Sequence, residues 1–185
     1  HEIEIDGSRI HYLKEGEGDP ILFLHSVPAS SYVWRNIIPH LAGLGCCIAP
    51  DLMGYGQSDK PDIAYSIMDH IYFIDKFIDA LHLDKIILVM HGYGSIIGLN
   101  YAMRHSEKCR GLVFYEAWLR PVHRDDISLP YQEQIISFQE QDNINDLMMN
   151  GVYFVDKMLP QTVMRELNEN ELDHYRAPFK KQGSG

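Results

Sequence analysis

The sequence holds no apolar run near the roughly 20 residues that a membrane span needs, so no membrane partner is expected. It is also short of basic residues. Sixteen Lys and Arg stand against 26 Asp and Glu, a formal net charge of -10. Nucleic-acid binders normally present a basic face. The clusters here, Lys180-Lys181 and Arg120 to Arg124, are short, mixed with acids and read as solvated surface. Cysteine is scarce, and Cys46, Cys47 and Cys109 make no metal or redox spacing. Adjacent Cys46 and Cys47 should point to opposite faces of one strand, as buried thiols in a reducing compartment. No secretory pattern opens the sequence, so a cytoplasmic location is expected. His40, His70, His82, His105, His123 and His174 fall at no ligand spacing and read as solvated surface. Neither a cofactor nor a metal is expected. Internal repeats and low-complexity linkers are absent too.

What is present is a hydrophobic content of 45% over 185 residues, enough for one real core. Short β-rich runs alternate with helical patterns, which predicts a parallel α/β sheet. Ile3 to Ile5 and Ile10 to Leu13 suggest a hairpin turned by Asp6-Gly7. Ile21 to His25 follows as a strand, then a helical stretch from Ser31 to Leu44 with Ser30 or Ser31 as N-cap. Cys46 to Ala49 is a strand closed by Pro50-Asp51. Ser66 to Leu81 carries Ile67, Ile71, Ile74, Phe77, Ile78 and Leu81 on one stripe, a strong helix. Lys85 to Met90 reads as a fully buried strand, Ile96 to Arg104 as a helix, and Gly111 to Tyr115 as another strand. Beyond Leu119 the pattern turns helical, over Leu129 to Gln141, Ile144 to Leu159 and Glu169 to Tyr175. The expected division is therefore an α/β core over 1–120 and a helical cap segment over 121–185. A sheet ending on Gly111 to Tyr115 leaves an apolar edge, so either a complementary chain or a second copy covers it, or the sequence is a fragment whose cap is truncated and whose C-terminal strands are missing.

The stretch VMHGYGS, Val89 to Ser95, has the layout of a strand–turn–helix corner, where many hydrolases carry a nucleophile on strained backbone. Its centre, Gly92, has no side chain to attack with. A serine elbow would need Ser at 92, and Ser95 lies a turn into the helix, so Ser95 reads as a helix-start hydroxyl. His25 and His91 end strands and read as loop-bonding residues, and Asp51 as a loop organiser. Glu116 follows a strand, where a buried carboxylate needs a reason.

Five segments, GDPILFLHSVPASSYVWRNIIPHL, IAPDLMGYGQSDKP, VMHGYGSIIGLNYA, LVFYEAWLRP and ELDHYRAPF, resemble in order and spacing the haloalkane dehalogenase group of α/β-hydrolases. The resemblance implies an eight-stranded, mostly parallel sheet with a helical cap between strands six and seven. By that alignment the last two strands, with the general-base histidine, fall beyond Gly185. In the family an aspartate attacks carbon, a histidine held by an acid activates water, and Asn and Trp side chains receive the halide. The aspartate position falls on Gly92, the tryptophan on Tyr93, and the asparagine on Val27. The usual glycine after the strand-end histidine is Ser26. Glu116 matches the catalytic acid of a subset, held either by backbone hydrogen bonds or by a histidine from another chain. His91 and Trp118 are placed beside the substrate site. Trp118, Phe138, Phe154 and Met158 are pocket walls or core residues. The expectation is a dehalogenase-like chain with impaired or altered activity. The alternative is a non-catalytic chain that binds an apolar small molecule or a completing partner.

Overall fold

The computed structural model describes residues 1–117, 119–120, 123–126, 129 and 153–180. The chain divides into two compact units, His1–Leu119 and Arg120–Gly185.

The first unit is built on a six-stranded sheet. Its strands are β1 (Glu2–Ile5), β2 (Ser8–Glu15), β3 (Pro20–Leu24), β4 (Cys46–Pro50), β5 (Ile86–His91) and β6 (Cys109–Tyr115), in the spatial order β1-β2-β4-β3-β5-β6. β1, β2 and β4 pair antiparallel, while β4, β3, β5 and β6 run parallel. The opening hairpin turns at Asp6 and Gly7, both with positive φ (49° and 77°), as a tight two-residue turn between twisted strands requires.

Strand alternation sorts the core onto two faces. Leu22 and Leu24 of β3 join Cys46, Ile48, Leu88 and Met90 on one side; Ile21 and Phe23 join Cys47, Ala49 and Trp34 on the other. The expected split of Cys46 and Cys47 is therefore seen, and both are buried, while Cys109 is half-buried. The first face is covered by α2 (Ile67–Ala80), through Ile71, Ile74, Phe77 and Ile78, and by α3 (Tyr93–Arg104), through Ile97, Tyr101 and Ala102. α2 starts at a capping box. Ser66 accepts from the Asp69 N–H, and Asp69 accepts from the Ser66 N–H.

Four expectations need correction. The predicted helix over 31–44 divides into a 3₁₀ turn, Ser31–Trp34, and a single turn, α1 (Ile38–Leu41). Pro39 lacks an N–H and is tolerated only in a first turn, so the helix has to restart there. α3 begins at Tyr93, three residues earlier than Ile96. β5 is fully buried only through Ile86, Leu88 and Met90; Ile87, Val89 and His91 are half-buried. His70 is not surface but core, at 1% exposure. At the end of the order, β6 exposes Leu112, Val113, Phe114 and Tyr115 by 44–53%.

In the second unit the predicted helix over 129–141 lies outside the described residues except for Leu129, and so does Phe138. Phe154–Met158 forms a π-helical turn that continues into α4 (Leu159–Thr162). Val155 is its buried residue, while Phe154 and Met158 are half-buried. The third predicted helix is α5 (Glu169–Arg176). Asn168 and Glu171 cap it reciprocally, and Arg165 grips the Glu171 carboxylate with both terminal nitrogens, at 2.8 and 2.5 Å. No helix among the described residues is long and apolar enough to cross a membrane.

The capping box makes α2 a direct test of the core's dependence on local signals. Ser66→Ala should cost about 1 kcal/mol, read as a fall in melting temperature of roughly 3 °C.

Candidate functional site

The parallel strands β3, β4 and β5 deliver His25, Asp51 and Gly92 to one end of the sheet, just beyond or at their final residues. What holds this end together is Asp51, buried to 1% exposure. Its Oδ1 accepts from the Ser31 N–H at 2.7 Å, and its Oδ2 from the Gln57 N–H and from His11 Nδ1, both at 2.9 Å. Ser58 Oγ donates to the Asp51 carbonyl at 2.7 Å. Burial alone would raise this carboxyl, but the bond from His11, the nearby His25 and the Gln57 and Ser31 amides hold it below the ordinary range. Asp51 thus organises the loops, as its position suggested.

His25 is fully buried and ties two of those loops. Its Nδ1 donates to the Ser26 carbonyl at 2.8 Å, and its Nε2 accepts the Leu52 N–H at 2.9 Å. That pattern assigns the neutral Nδ1–H tautomer, and burial pushes its pKa down. Both nitrogens are committed, so His25 is no free base.

The corner itself is Gly92, with φ 49° and ψ -116°, set between β5 and the first residue of α3. This is backbone territory that costs any side chain, and glycine occupies it without strain. Ser95 is buried in the first turn of α3, and its hydroxyl donates to the Gly92 carbonyl at 2.6 Å. It is a helix-start hydroxyl, as read from its spacing. The Tyr93 N–H donates to Ser26 Oγ at 3.2 Å. Val27 is half-buried, packs against the core and has no polar side-chain atom to offer.

Glu116 departs from expectation. Its side chain is 77% exposed, at the end of the edge strand β6, so no burial acts on it. Its Oε2 meets Nε2 of His91, in the same chain, at 2.9 Å. The His91 ring in turn stacks on Tyr115, with centroids 4.4 Å apart. His91 and Glu116 are thereby brought together on adjacent strand ends. Trp118 lies outside the described residues.

A residue that the sequence reading assigned to the surface enters the site from α2. His70 is ringed by Tyr55, Tyr65 and Tyr93 at centroid distances of 5.9, 6.4 and 5.7 Å. Its Nδ1 finds no hydrogen-bond partner among the described residues. Burial, with His25 nearby, pushes its pKa down to about 4 against the nearby Asp69. Its signal was in the spacing: His70 lies three residues after Ile67 and four before Ile74, on the same helical face as the apolar stripe. Among the described residues no group of three or more His, Cys, Asp or Glu is placed to hold a metal.

The α/β hydrolase fold family matches residues 19–172, and the chain belongs to it. Within that family its similarity is to haloalkane dehalogenases. The enzyme of Sphingobium indicum is 41% identical over 186 residues, covering 98% of this chain and 62% of its own. That of Mesorhizobium japonicum is 41% identical over 182 residues, covering 96% of this chain and 59% of its own. Among solved structures, the haloalkane dehalogenase DbeA from Bradyrhizobium elkani superposes with a TM-score of 0.90 at 37% identity, over 100% of this chain and 65% of that one. DatA from Agrobacterium tumefaciens gives 0.89 at 34% identity, over 100% and 63%. The chain therefore spans about three-fifths of the length of the curated relatives it matches.

His70 gives the site a pH signature. Its pKa is depressed from the ordinary 6.5 to about 4, so it is neutral in both states at neutral pH. As pH falls below 6.5 the unfolded chain takes up a proton that the folded chain refuses. Between pH 7.5 and pH 5 this should remove about 2 kcal/mol of stability. Urea titrations at the two pH values should show His70→Phe losing less than the parent by that amount.

Proposed function

We propose that this chain is a haloalkane-dehalogenase-like hydrolase unit whose strand-end site accommodates an apolar small molecule but does not support ordinary covalent dehalogenation. The observation that carries this reading is the corner. Displacement of halide from carbon by this route needs a carboxylate on the residue between β5 and α3, and that residue is Gly92. Loss of a covalent nucleophile typically costs about a million-fold in rate. The partner positions point the same way. Val27 cannot donate a hydrogen bond to a leaving halide, and Tyr93 offers a phenol in place of an indole N–H. Glu116, where the family's subset has its acid, meets His91 of the same chain at 2.9 Å. Tyr55, Tyr65, Tyr93 and Val27, half-buried against the core, carry uncharged and largely apolar side chains, which suit an uncharged ligand.

The deciding measurement is halide release from 1,2-dibromoethane or 1-bromobutane. The parent should release none above the uncatalysed background, while an intact dehalogenase run in parallel does. Release at a comparable rate would defeat the reading. Stabilisation by apolar ligands in a thermal-shift screen is expected alongside, and a flat response to all of them would remove the binding half of it.

A second reading has its own observation. The row Leu112, Val113, Phe114 and Tyr115 on β6 is apolar and 44–53% exposed. Solvated strands are rarely so apolar, because such an edge templates association. On this reading the chain is an interaction subunit, and a complementary chain or a second copy covers β6. Native mass spectrometry should then find an assembly, and a stable lone monomer removes it.

A further inference from the structure

An α-helix begins with N–H groups that its own turns cannot satisfy, and the residue before it usually supplies a capping oxygen. Gly92, in that position for α3, has no side chain and makes no such bond. The oxygen comes from another strand. Ser26, two residues past the end of β3, accepts the Tyr93 N–H on its Oγ at 3.2 Å. Two hydrogen bonds hold the Ser26 carbonyl, from His25 Nδ1 at 2.8 Å and from the Ala29 N–H at 3.1 Å.

The space it fills is the space of the absent residue. A Cβ placed on Gly92 would stand 2.5 Å from Ser26 Oγ and 3.0 Å from Ser26 Cβ. Rotation about χ1 could carry the hydroxyl away from the first contact. It could not relieve the second, because the Cβ position is set by the backbone. A side chain at 92 therefore crowds the side chain at 26, and one of the two has to give way by a few tenths of an ångström.

We propose that Ser26 is the positioning residue of this corner: it caps α3 in place of residue 92 and occupies the volume a nucleophile would need, so that the two positions form one exchangeable unit. The proposal rests on the reading of Gly92 as the emptied nucleophile position. It adds that a carboxylate restored there by one substitution would be strained against Ser26.

Thermal unfolding of the full chain tests it in a cycle of Gly92→Ala and Ser26→Gly. Strain at φ 49° is common to both backgrounds and cancels. Gly92→Ala should lower the melting temperature by about 6 °C in the parent, and by about 2 °C once Ser26 is glycine. If Gly92→Ala fails to fold alone but the double variant folds, the proposal stands. Equal losses in the two backgrounds, including failure of both to fold, overturn it. Amide exchange reads the cap separately. Ser26→Ala should speed exchange at Tyr93 about ten-fold, and unchanged protection would equally overturn the proposal. Halide release by the parent bears only on the functional reading, whereas additive melting losses with a silent parent defeat only the pairing.

Discussion

A buried carboxylate without partners costs several kcal/mol, and Asp51 sits at the centre of the strand-end architecture with almost no exposure. Its compensation comes from three parts of the chain: the amide of Ser31, the amide of Gln57 and the ring of His11. Each donor is useful only if its own segment lies in place. One charge therefore fixes the middle of β2, the loop after β3 and the loop after β4 in a single arrangement. His25 adds a neutral bridge between the last two. Everything at the corner inherits its position from this network, because Ser26 hangs directly from His25.

The corner shows how geometry and chemistry separate. Strand, sharp turn and helix are all kept, with a positive φ at the apex and a hydroxyl bonded to its carbonyl. None of those features requires a nucleophile. They follow from the demands of joining a buried parallel strand to a helix that packs back on it. The same demands would be met in a protein that binds, and in one that reacts. The residues that distinguish the two are few: position 92, the donors near it and the partner of Glu116.

Much of this was legible in the sequence. The apolar run Ile21 to Leu24 and the apolar stripe of α2 each encode their element locally, and the elements appear where those patterns lie. The helix over 31–44 was misjudged because Pro39 acts on its neighbours' hydrogen bonds and not on hydropathy. His70 was misjudged because a residue's polarity says little when helical spacing places it inward. Glu116 was expected in a buried setting, and its exposure depends on what lies beside β6, which no local pattern records. Ser26 was visible as an unusual residue, but its role was not. The contact that defines it joins two strand ends distant in the chain, and only pairing of β3 with β5 brings them together.

Seen as a path through sequence space, the packing of Ser26 against Gly92 makes the corner a ratchet. On the proposed pairing, a lineage that acquired an acidic residue at 92 alone would pass through a strained intermediate, and one that lost Ser26 alone would uncap α3 for no gain. Selection for stability, with no help from selection for activity, then suffices to keep the two residues as they are. The history of such a site is set by which change came first.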